Sequence, residues 1–240
     1  MENINKPDKL NNIYVVLSGI FIVNALVAEF AGSKIFSLER LLGISNHQNL
    51  NLSVGVIIWP FVFVFSDIIN EYFGKNGVRR ISFLTAILLC YSFVIILIGT
   101  NLPPAQFWLN LYQTGPSGEH FNINYAYSAV FRQSMGIIVA SVIAFLLSQM
   151  IDVYSFIYIK TFTGHKRLWL RATGSTIISQ LFDSFVILFI AFYVLGNWSF
   201  KDVLSVGIVQ YIYKVLLAIA FTPLIYVIHF FVDKYLGIKH

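Results

Sequence analysis

Charge is scarce in this sequence, and cysteine is almost absent. Only 11% of the 240 residues are Asp, Glu, Lys or Arg, whereas soluble domains carry about 25%. Hydrophobic residues make up 58% of the chain, and the mean hydropathy is +0.75. A soluble core of this size could not bury so much apolar surface. The composition therefore favours a protein embedded in a lipid bilayer.

The single cysteine and several missing motifs exclude further kinds of site. One cysteine permits no internal disulfide and no cysteine-based metal site. Cys90 lies in an apolar stretch, which predicts a small buried side chain. The sequence has no Walker A loop, no His-Glu-x-x-His and no Gly-x-Ser-x-Gly. We therefore expect a protein that is not an enzyme and that needs no metal, cofactor or ATP site of its own.

Long apolar runs recur along the chain. A spanning helix needs roughly 20 apolar residues. The polar segment 1–12 lacks the pattern of a signal peptide, so the first run is expected to stay in the membrane. The sequence predicts an all-α polytopic membrane protein, one domain over residues 1–240. Its six transmembrane helices are predicted at 13–32, 53–73, 81–100, about 135–159, 175–195 and about 203–232.

Basic residues lie mostly on one side of the predicted spans. Eleven of the sixteen fall on that side and four on the other, with one inside a helix. By the positive-inside rule both termini are cytoplasmic, so the net charge of +5 reflects orientation rather than nucleic-acid binding. The eleven are Lys6, Lys9, Lys75, Arg79, Arg80, Lys160, Lys166, Arg167, Arg171, Lys234 and Lys239.

The longest predicted loop, residues 101–132, is expected on the outer side. Two prolines are followed there by Phe107, Trp108 and Tyr112. This pattern favours a segment lying flat in the membrane interface, and an external gate is the alternative. Near the span ends, Glu29 and Glu71 are expected to be solvated and His229 to be interfacial.

Five polar residues fall deep inside the predicted helices. Counting at about 1.5 Å per residue places Asn24, Asp67, Asp152, Asp183 and Lys214 near the middle of a hydrocarbon core about 30 Å thick. Ionisable residues at that depth are costly and mark functional sites. A salt bridge between the lysine and one aspartate would leave two carboxylates. These would need a proton, a cation or a ligand rich in hydrogen-bond donors.

Helical spacing gives these residues polar neighbours. Ser179 and Asp183 share one face of helix five, flanked by Gln180. The string Ser-Gln-x-x-Asp occurs there at 179–183 and also on helix four at 148–152. Hydrogen bonding between helices is an alternative role for Asn24 and Gln149. The predicted substrate-binding residues are Asp183, Lys214, Asp67, Asp152, Gln149, Asn24, Ser179 and Gln180.

Several motifs together carry a resemblance to a known family. They are Trp59-Pro60-Phe61, the run from Ser66 to Gly74, the run from Ser148 to Val153, Trp169-Leu170-Arg171 with the polar residues that follow on helix five, and Tyr213-Lys214-Val215 with Pro223 and Tyr226. Spread over about residues 13–232, the combination is similar to the vitamin-uptake-like transporter family. The best-known members of this family are queuosine precursor transporters.

The resemblance implies a six-helix transporter in the cytoplasmic (inner) membrane. Such a protein takes up 7-cyano-7-deazaguanine and 7-aminomethyl-7-deazaguanine, small-molecule precursors of the queuosine in tRNA. It would be a secondary transporter working by alternating access, with proton coupling through Asp67 or Asp152, or else a facilitator. The alternative is a substrate-binding membrane subunit of an ATP-energised uptake complex. A homo-oligomer is left open, and membrane lipid is the expected surrounding.

A deazaguanine also suggests roles for the candidate residues. Its N1–H and exocyclic amine would donate to one carboxylate, with Asp183 the first choice and Asp67 or Asp152 the alternatives. Lys214 or Gln149 would donate to the ring carbonyl oxygen. The flat ring needs aromatic or apolar faces, which would come from Phe63, Phe182, Tyr211 and Tyr154.

Overall fold

The computed structural model of the chain is built almost entirely of helices. It describes residues 6–43, 51–111, 113–114, 118–133, 138–164 and 167–238. The five long helices are α1 (Lys6–Ala31), α3 (Gly55–Asn101), α6 (Ile138–Thr163), α7 (Leu168–Leu188) and α8 (Phe200–Leu236). The shorter elements are β1 (Ile35–Ser37), α2 (Leu38–Leu42), β2 (Asn51–Ser53), α4 (Gln106–Leu111), α5 (Ile123–Gln133) and a π-helical turn, Phe189–Val194, that follows α7.

The five long helices are long and apolar enough to cross a membrane. Large apolar side chains such as Val15, Ile87 and Leu216 point away from the bundle, each more than half exposed. In contrast, Gln149 and Asp152 inside the bundle are fully buried. A bundle that is apolar outside and polar inside suits lipid rather than water. The all-α polytopic membrane fold is therefore confirmed.

A bend at Gly74 divides α3. The helix has 47 residues, which is about twice the number that crosses the hydrocarbon core. Gly74 has φ 65° and ψ −174°, a conformation that is not helical and is essentially restricted to glycine. The helix resumes directly after it, so Lys75 and Arg79 are helical residues. The loop predicted between 73 and 81 is wrong, because one glycine makes the turn.

Three other predictions about the helices need correction. Helix α7 begins at Leu168, before the predicted residue 175, and it includes Arg171, which is 1% exposed and is not a loop charge. Cys90 is exposed on the surface of α3 rather than buried. The predicted start of helix four near residue 135 lies outside the described residues. So do Tyr112, Lys166, Lys239 and the side chain of Lys6.

The packing of the long helices places α7 and the first half of α3 around a shared interior. Helix α7 packs against both α6 and α8, while α3 packs against α1, α6 and α8. Small residues allow close approach: a methyl group added at Gly207 of α8 would come within 2.6 Å of the Phe185 ring on α7. Close packing of this kind brings polar side chains of α3, α6, α7 and α8 next to one another.

Two short features lie at the end of the bundle at which α1 stops and α3 starts. Strands β1 and β2 form an antiparallel ribbon, with Ile35 paired to Ser53, which the all-α prediction did not include. In the predicted loop 101–132, Arg132 of α5 donates to the Thr100 carbonyl oxygen (3.0 Å) and to Asn101 Oδ1 (2.7 Å). These bonds fix α5 over the end of α3.

Gly74→Ala should destabilise the protein by about 1–3 kcal/mol, because a β-carbon is strained at this φ and ψ. The matched control is Gly19→Ala, at a helical position where an added β-carbon meets nothing within 4 Å. Thermal unfolding midpoints of the purified variants in detergent measure the difference. Equal midpoints would contradict the strained geometry at residue 74.

Candidate functional site

A cavity lined by both apolar and charged side chains opens at the end of the bundle where α1 ends. Its volume is about 450 Å³, within the range of roughly 300–1,000 Å³ typical of small-molecule pockets. Its wall includes Glu29, Ser141, Asp183, Tyr213 and Lys214. The prediction that Glu29 is simply solvated at a span end is thereby refined, since its carboxyl lines an internal cavity.

An ion pair forms part of the cavity wall. Lys214 Nζ on α8 lies 2.5 Å from Asp183 Oδ2 on α7. The Ser148 hydroxyl on α6 donates to the other carboxylate oxygen at 3.4 Å. The Asp183 and Lys214 side chains are 23% and 15% exposed. The salt bridge that was one alternative for the deep lysine is present, with Asp183 as the partner.

A narrow cleft continues from this cavity into the bundle. Trp59 and Lys214 line both spaces, so the two are adjacent. The cleft has only about 30 Å³ of open volume, and Asp67 and Gln180 line its polar side. Phe63 lines the apolar side, as predicted for an aromatic face. Of the other three predicted aromatic faces, Phe182 and Tyr154 are largely exposed and Tyr211 lies outside both linings.

Two buried carboxyl groups, those of Asp67 and Asp152, interact with each other, and each has one oxygen without a hydrogen-bond partner among the described residues. Asp67 on α3 is 1% exposed, and Asp152 on α6 is fully buried. The Ser179 hydroxyl donates to Asp152 Oδ1 at 3.2 Å, and Ser175 interacts with both carboxyls. Within the described part of the chain, Asp67 Oδ1 and Asp152 Oδ2 have no hydrogen-bond partner. Two buried oxygens without a partner require a hydrogen-bond donor.

The repeated string Ser-Gln-x-x-Asp has a structural counterpart. Ser148 of the first string donates to Asp183 of the second, and Ser179 of the second donates to Asp152 of the first. Because α6 and α7 pack together, the serine of each string bonds to the aspartate of the other, and the two strings cross. The Ser148–Asp183 contact is one end of this crossing and lies beside Lys214, and the Ser179–Asp152 contact is the other end and lies beside Asp67.

The remaining predicted residues divide between the site and other parts of the fold. Gln149 is fully buried, and its Oε1 accepts a bond from Ser66 at 2.9 Å. Among the described residues, neither Gln149 Nε2 nor Gln180 Nε2 finds an acceptor. Asn24 donates to the Ile20 carbonyl oxygen of its own helix at 2.8 Å and lines neither space. Six of the eight predicted residues thus come together, while Gln149 bonds to Ser66 and Asn24 to its own helix.

A charged cluster that sequence reasoning undervalued lies at the opposite end of the bundle. Glu71 is 9% exposed and contacts Arg171 at 2.8 Å and Lys160 at 3.0 Å. This joins α3, α6 and α7, so the expectation that Glu71 is solvated was wrong. The available signal was its spacing, one helical turn beyond Asp67.

A second link at that end joins α3 to α8. The Tyr72 hydroxyl donates to Asp233 Oδ1 at 2.6 Å, and His229 Nδ1 lies 2.7 Å from Asp233 Oδ2. The prediction of an interfacial His229 did not include this contact. Both links lie within one helical turn of the Gly74 bend.

Fold and site together define a class of protein. A multi-pass helical bundle with charged residues around an internal cavity is the architecture of a membrane transporter. The family described as "Putative vitamin uptake transporter" matches residues 53–228 of the chain. The chain belongs to this family, which confirms the resemblance seen in its motifs.

Named relatives agree with the family. A probable queuosine precursor transporter of Bacillus subtilis is 27% identical over 210 residues, which are 87% of this chain and 82% of the relative. The queuosine precursor transporter of Escherichia coli is 29% identical over 174 residues, 70% of this chain and 67% of the relative. A probable transporter of the same name in Haemophilus influenzae is 27% identical over 185 residues, 74% and 68% respectively. No solved structure matches the chain significantly.

Family and relatives are named as transporters. The chain is accordingly a transporter and not an enzyme, and it resides in the inner membrane as a multi-pass protein.

Lys214→Met should lower stability by about 1–3 kcal/mol, because it leaves the Asp183 carboxylate partly buried without its cation. Adding Asp183→Asn should recover part of the loss, since no charge then remains unpaired. Lys201→Met, which removes an exposed lysine on the same helix, is the control. Unfolding midpoints in detergent provide the measurement, and equal losses at positions 201 and 214 would argue against a structural ion pair.

Proposed function

We propose that the chain takes up the queuosine precursors 7-cyano-7-deazaguanine and 7-aminomethyl-7-deazaguanine by alternating access. The observation that carries the proposal is a cavity that leads past an ion pair to an unsatisfied buried carboxylate. The names of three relatives give the ligand class. A deazaguanine has two adjacent donors on one edge, which suit one carboxylate.

The structure favours Asp67 over Asp183 as the acceptor for that edge. Both oxygens of Asp183 already have partners, Lys214 and Ser148. In the described residues Asp67 Oδ1 has none, and the neighbouring Gln180 Nε2 needs an acceptor such as the ring carbonyl oxygen. Asp183 and Lys214 then form the charged entrance to the binding cleft. Trp59 and Phe63 supply the faces for the ring.

The two halves of α3 act as separate spans in this proposal. The bend at Gly74 gives six crossings, and an even number of crossings puts both termini on one side. The basic residues still favour the cytoplasm for that side after Arg171 is removed from the count. The cavity then opens to the outside. In this proposal the protein is in an outward-facing state.

The clusters around Glu71 and Asp233 close the inner end in this state. They tie α3 to α6, α7 and α8 at the cytoplasmic side of the cleft. Opening to the cytoplasm requires these contacts to separate while the outer cavity narrows. Because Gly74 follows directly after these residues, it provides a hinge that permits such a movement.

Uptake of labelled 7-cyano-7-deazaguanine into cells that cannot synthesise it tests the function. Asp67→Asn and Asp183→Asn should each reduce uptake by more than about tenfold with near-normal membrane abundance, since losing a charged hydrogen bond costs about 1.5–3 kcal/mol. Asp8→Asn, at an exposed position of α1, should have no effect. Full activity of Asp183→Asn would remove Asp183 from the site, and uptake independent of this gene would refute the function. Uptake by the purified chain alone in liposomes would exclude dependence on an ATP-driven partner.

Glu71→Gln should weaken the inner closure and expose the cleft to the cytoplasm. A cysteine at position 176, in the cleft wall, reports this exposure once Cys90 is replaced by alanine. Labelling by a membrane-impermeant thiol reagent in inverted vesicles should rise several-fold. Glu39→Gln, at the opposite end of the bundle, removes an acid without touching the cluster. Unchanged labelling in Glu71→Gln would show that this cluster is not a gate.

A further inference from the structure

Among the residues that the structure describes, neither Asp67 nor Asp152 forms an ion pair with a cation. Arg171 is close enough for its charge to act on Asp67, but its guanidinium contacts Glu71 and the Gly164 carbonyl oxygen. The remaining charged groups near the bundle interior are engaged in the same way. Lys160 pairs with Glu71, Lys214 pairs with Asp183, and His229 pairs with Asp233, while Glu29 faces the outer cavity.

The two serine–aspartate contacts between α6 and α7 show which aspartate has no cation beside it. At one end of the crossing, Asp183 has a serine donor and a lysine. At the other end, Asp152 has a serine donor, but the group opposite it is a second carboxyl, Asp67. The two ends are built alike except that one positive charge is missing from the second. Two ionised carboxylates side by side in a buried site repel each other strongly.

We propose that the Asp67–Asp152 pair binds one proton and that this proton is transported together with the substrate. Both carboxyls have one oxygen without a partner among the described residues. Because Asp67 lines the cleft and stays ionised to receive the ligand's N–H groups, the proton is assigned to Asp152. The inference rests on the proposed function, because the second ligand of the site is the proposed deazaguanine.

Ligand chemistry favours a proton over a metal ion. Hard cations need six or more oxygen ligands. The described residues contain no group of three His, Cys, Asp or Glu side chains placed to hold a metal ion.

Coupling of proton and ligand transport follows from the order in which the two bind. A proton that enters from the outer cavity brings the pair to a single negative charge. The ligand's donors then satisfy the carboxylate of Asp67. Only with both bound is the site free of unsatisfied charge, so only then can the outer end close at low cost. Opening to the more alkaline cytoplasm releases the proton from Asp152 and the ligand from Asp67.

The transport test uses the purified full-length chain in liposomes with the membrane potential clamped at zero. A gradient of one pH unit, alkaline inside, should drive about tenfold accumulation of 7-cyano-7-deazaguanine if one proton accompanies each ligand. The measured quantity is the accumulation with the gradient divided by that without it. Asp152→Asn should reduce this ratio from about ten to about one, whereas Asp8→Asn should retain it.

Three transport results would overturn the proposal. Wild-type uptake that only equilibrates and ignores the pH gradient would remove coupling. Accumulation driven by a sodium gradient at equal pH would replace the proton by a metal ion. A ratio near ten in Asp152→Asn would place the proton on another group.

Infrared spectroscopy of the same protein in lipid separates this proposal from the proposed substrate. A protonated buried carboxylic acid gives a carbonyl stretch distinct from that of a carboxylate, and this band should be present at neutral pH without ligand. Asp152→Asn should lose it and Asp8→Asn should keep it. A band lost in Asp152→Asn from a protein that transports no deazaguanine would refute the substrate and keep the proton site. Absence of the band in the wild type would refute the proton site.

Discussion

The structure depends on one constraint: inside the bundle, acidic side chains outnumber the cations that can reach them. In lipid a buried charge must find its partner within the protein. Asp183 has Lys214, and Glu71 has Arg171 and Lys160. These pairs lie toward the two ends of the interior, and the carboxyl pair of Asp67 and Asp152 lies between them. All three groups join helices among α3, α6, α7 and α8, and further bonds such as Tyr72 to Asp233 join the same helices. The bundle is therefore held together by the same side chains that make a site for a ligand.

The backbone contributes to this arrangement at a single residue. Gly74 turns α3 back through the bundle directly after Glu71 and Tyr72, whose side chains make the inner contacts. A longer loop would let these side chains move independently of the helices that follow. The short bend instead keeps the contacts of Glu71 and Tyr72 close to the second half of α3. In the proposed mechanism, separation of these contacts is therefore linked to a displacement of both helical segments of α3.

Much of the site was predictable from the sequence because depth and helical period are local properties. Counting residues placed Asp183 and Lys214 at similar depth, and the i, i+4 spacing placed Ser179 and Asp183 on one face. What failed depended on partners distant in sequence. Arg171 was counted as a loop charge because nothing local reveals the carboxylate of Glu71 that pairs with it. Asn24 has suitable depth, but its amide bonds to its own helix, a choice that composition does not reveal. The bend at Gly74 was predicted as a loop, since one glycine and several charges give the same pattern.

In the proposed mechanism the charge of the ligand decides how one of the two negative charges of the carboxyl pair is balanced. The cyano compound is uncharged, so it supplies donors to Asp67 and leaves the need for a proton on Asp152. The aminomethyl compound carries an ammonium group, which can stand against the second carboxylate in place of that proton. Lys214 cannot take this part, because Asp183 holds it at 2.5 Å on the other end of the crossing. A fixed cation beside Asp152 would balance that charge permanently and would repel a cationic ligand. A pair of carboxylates with one exchangeable proton accepts both ligands, which gives a physical reason for an acid rather than a base opposite Asp152.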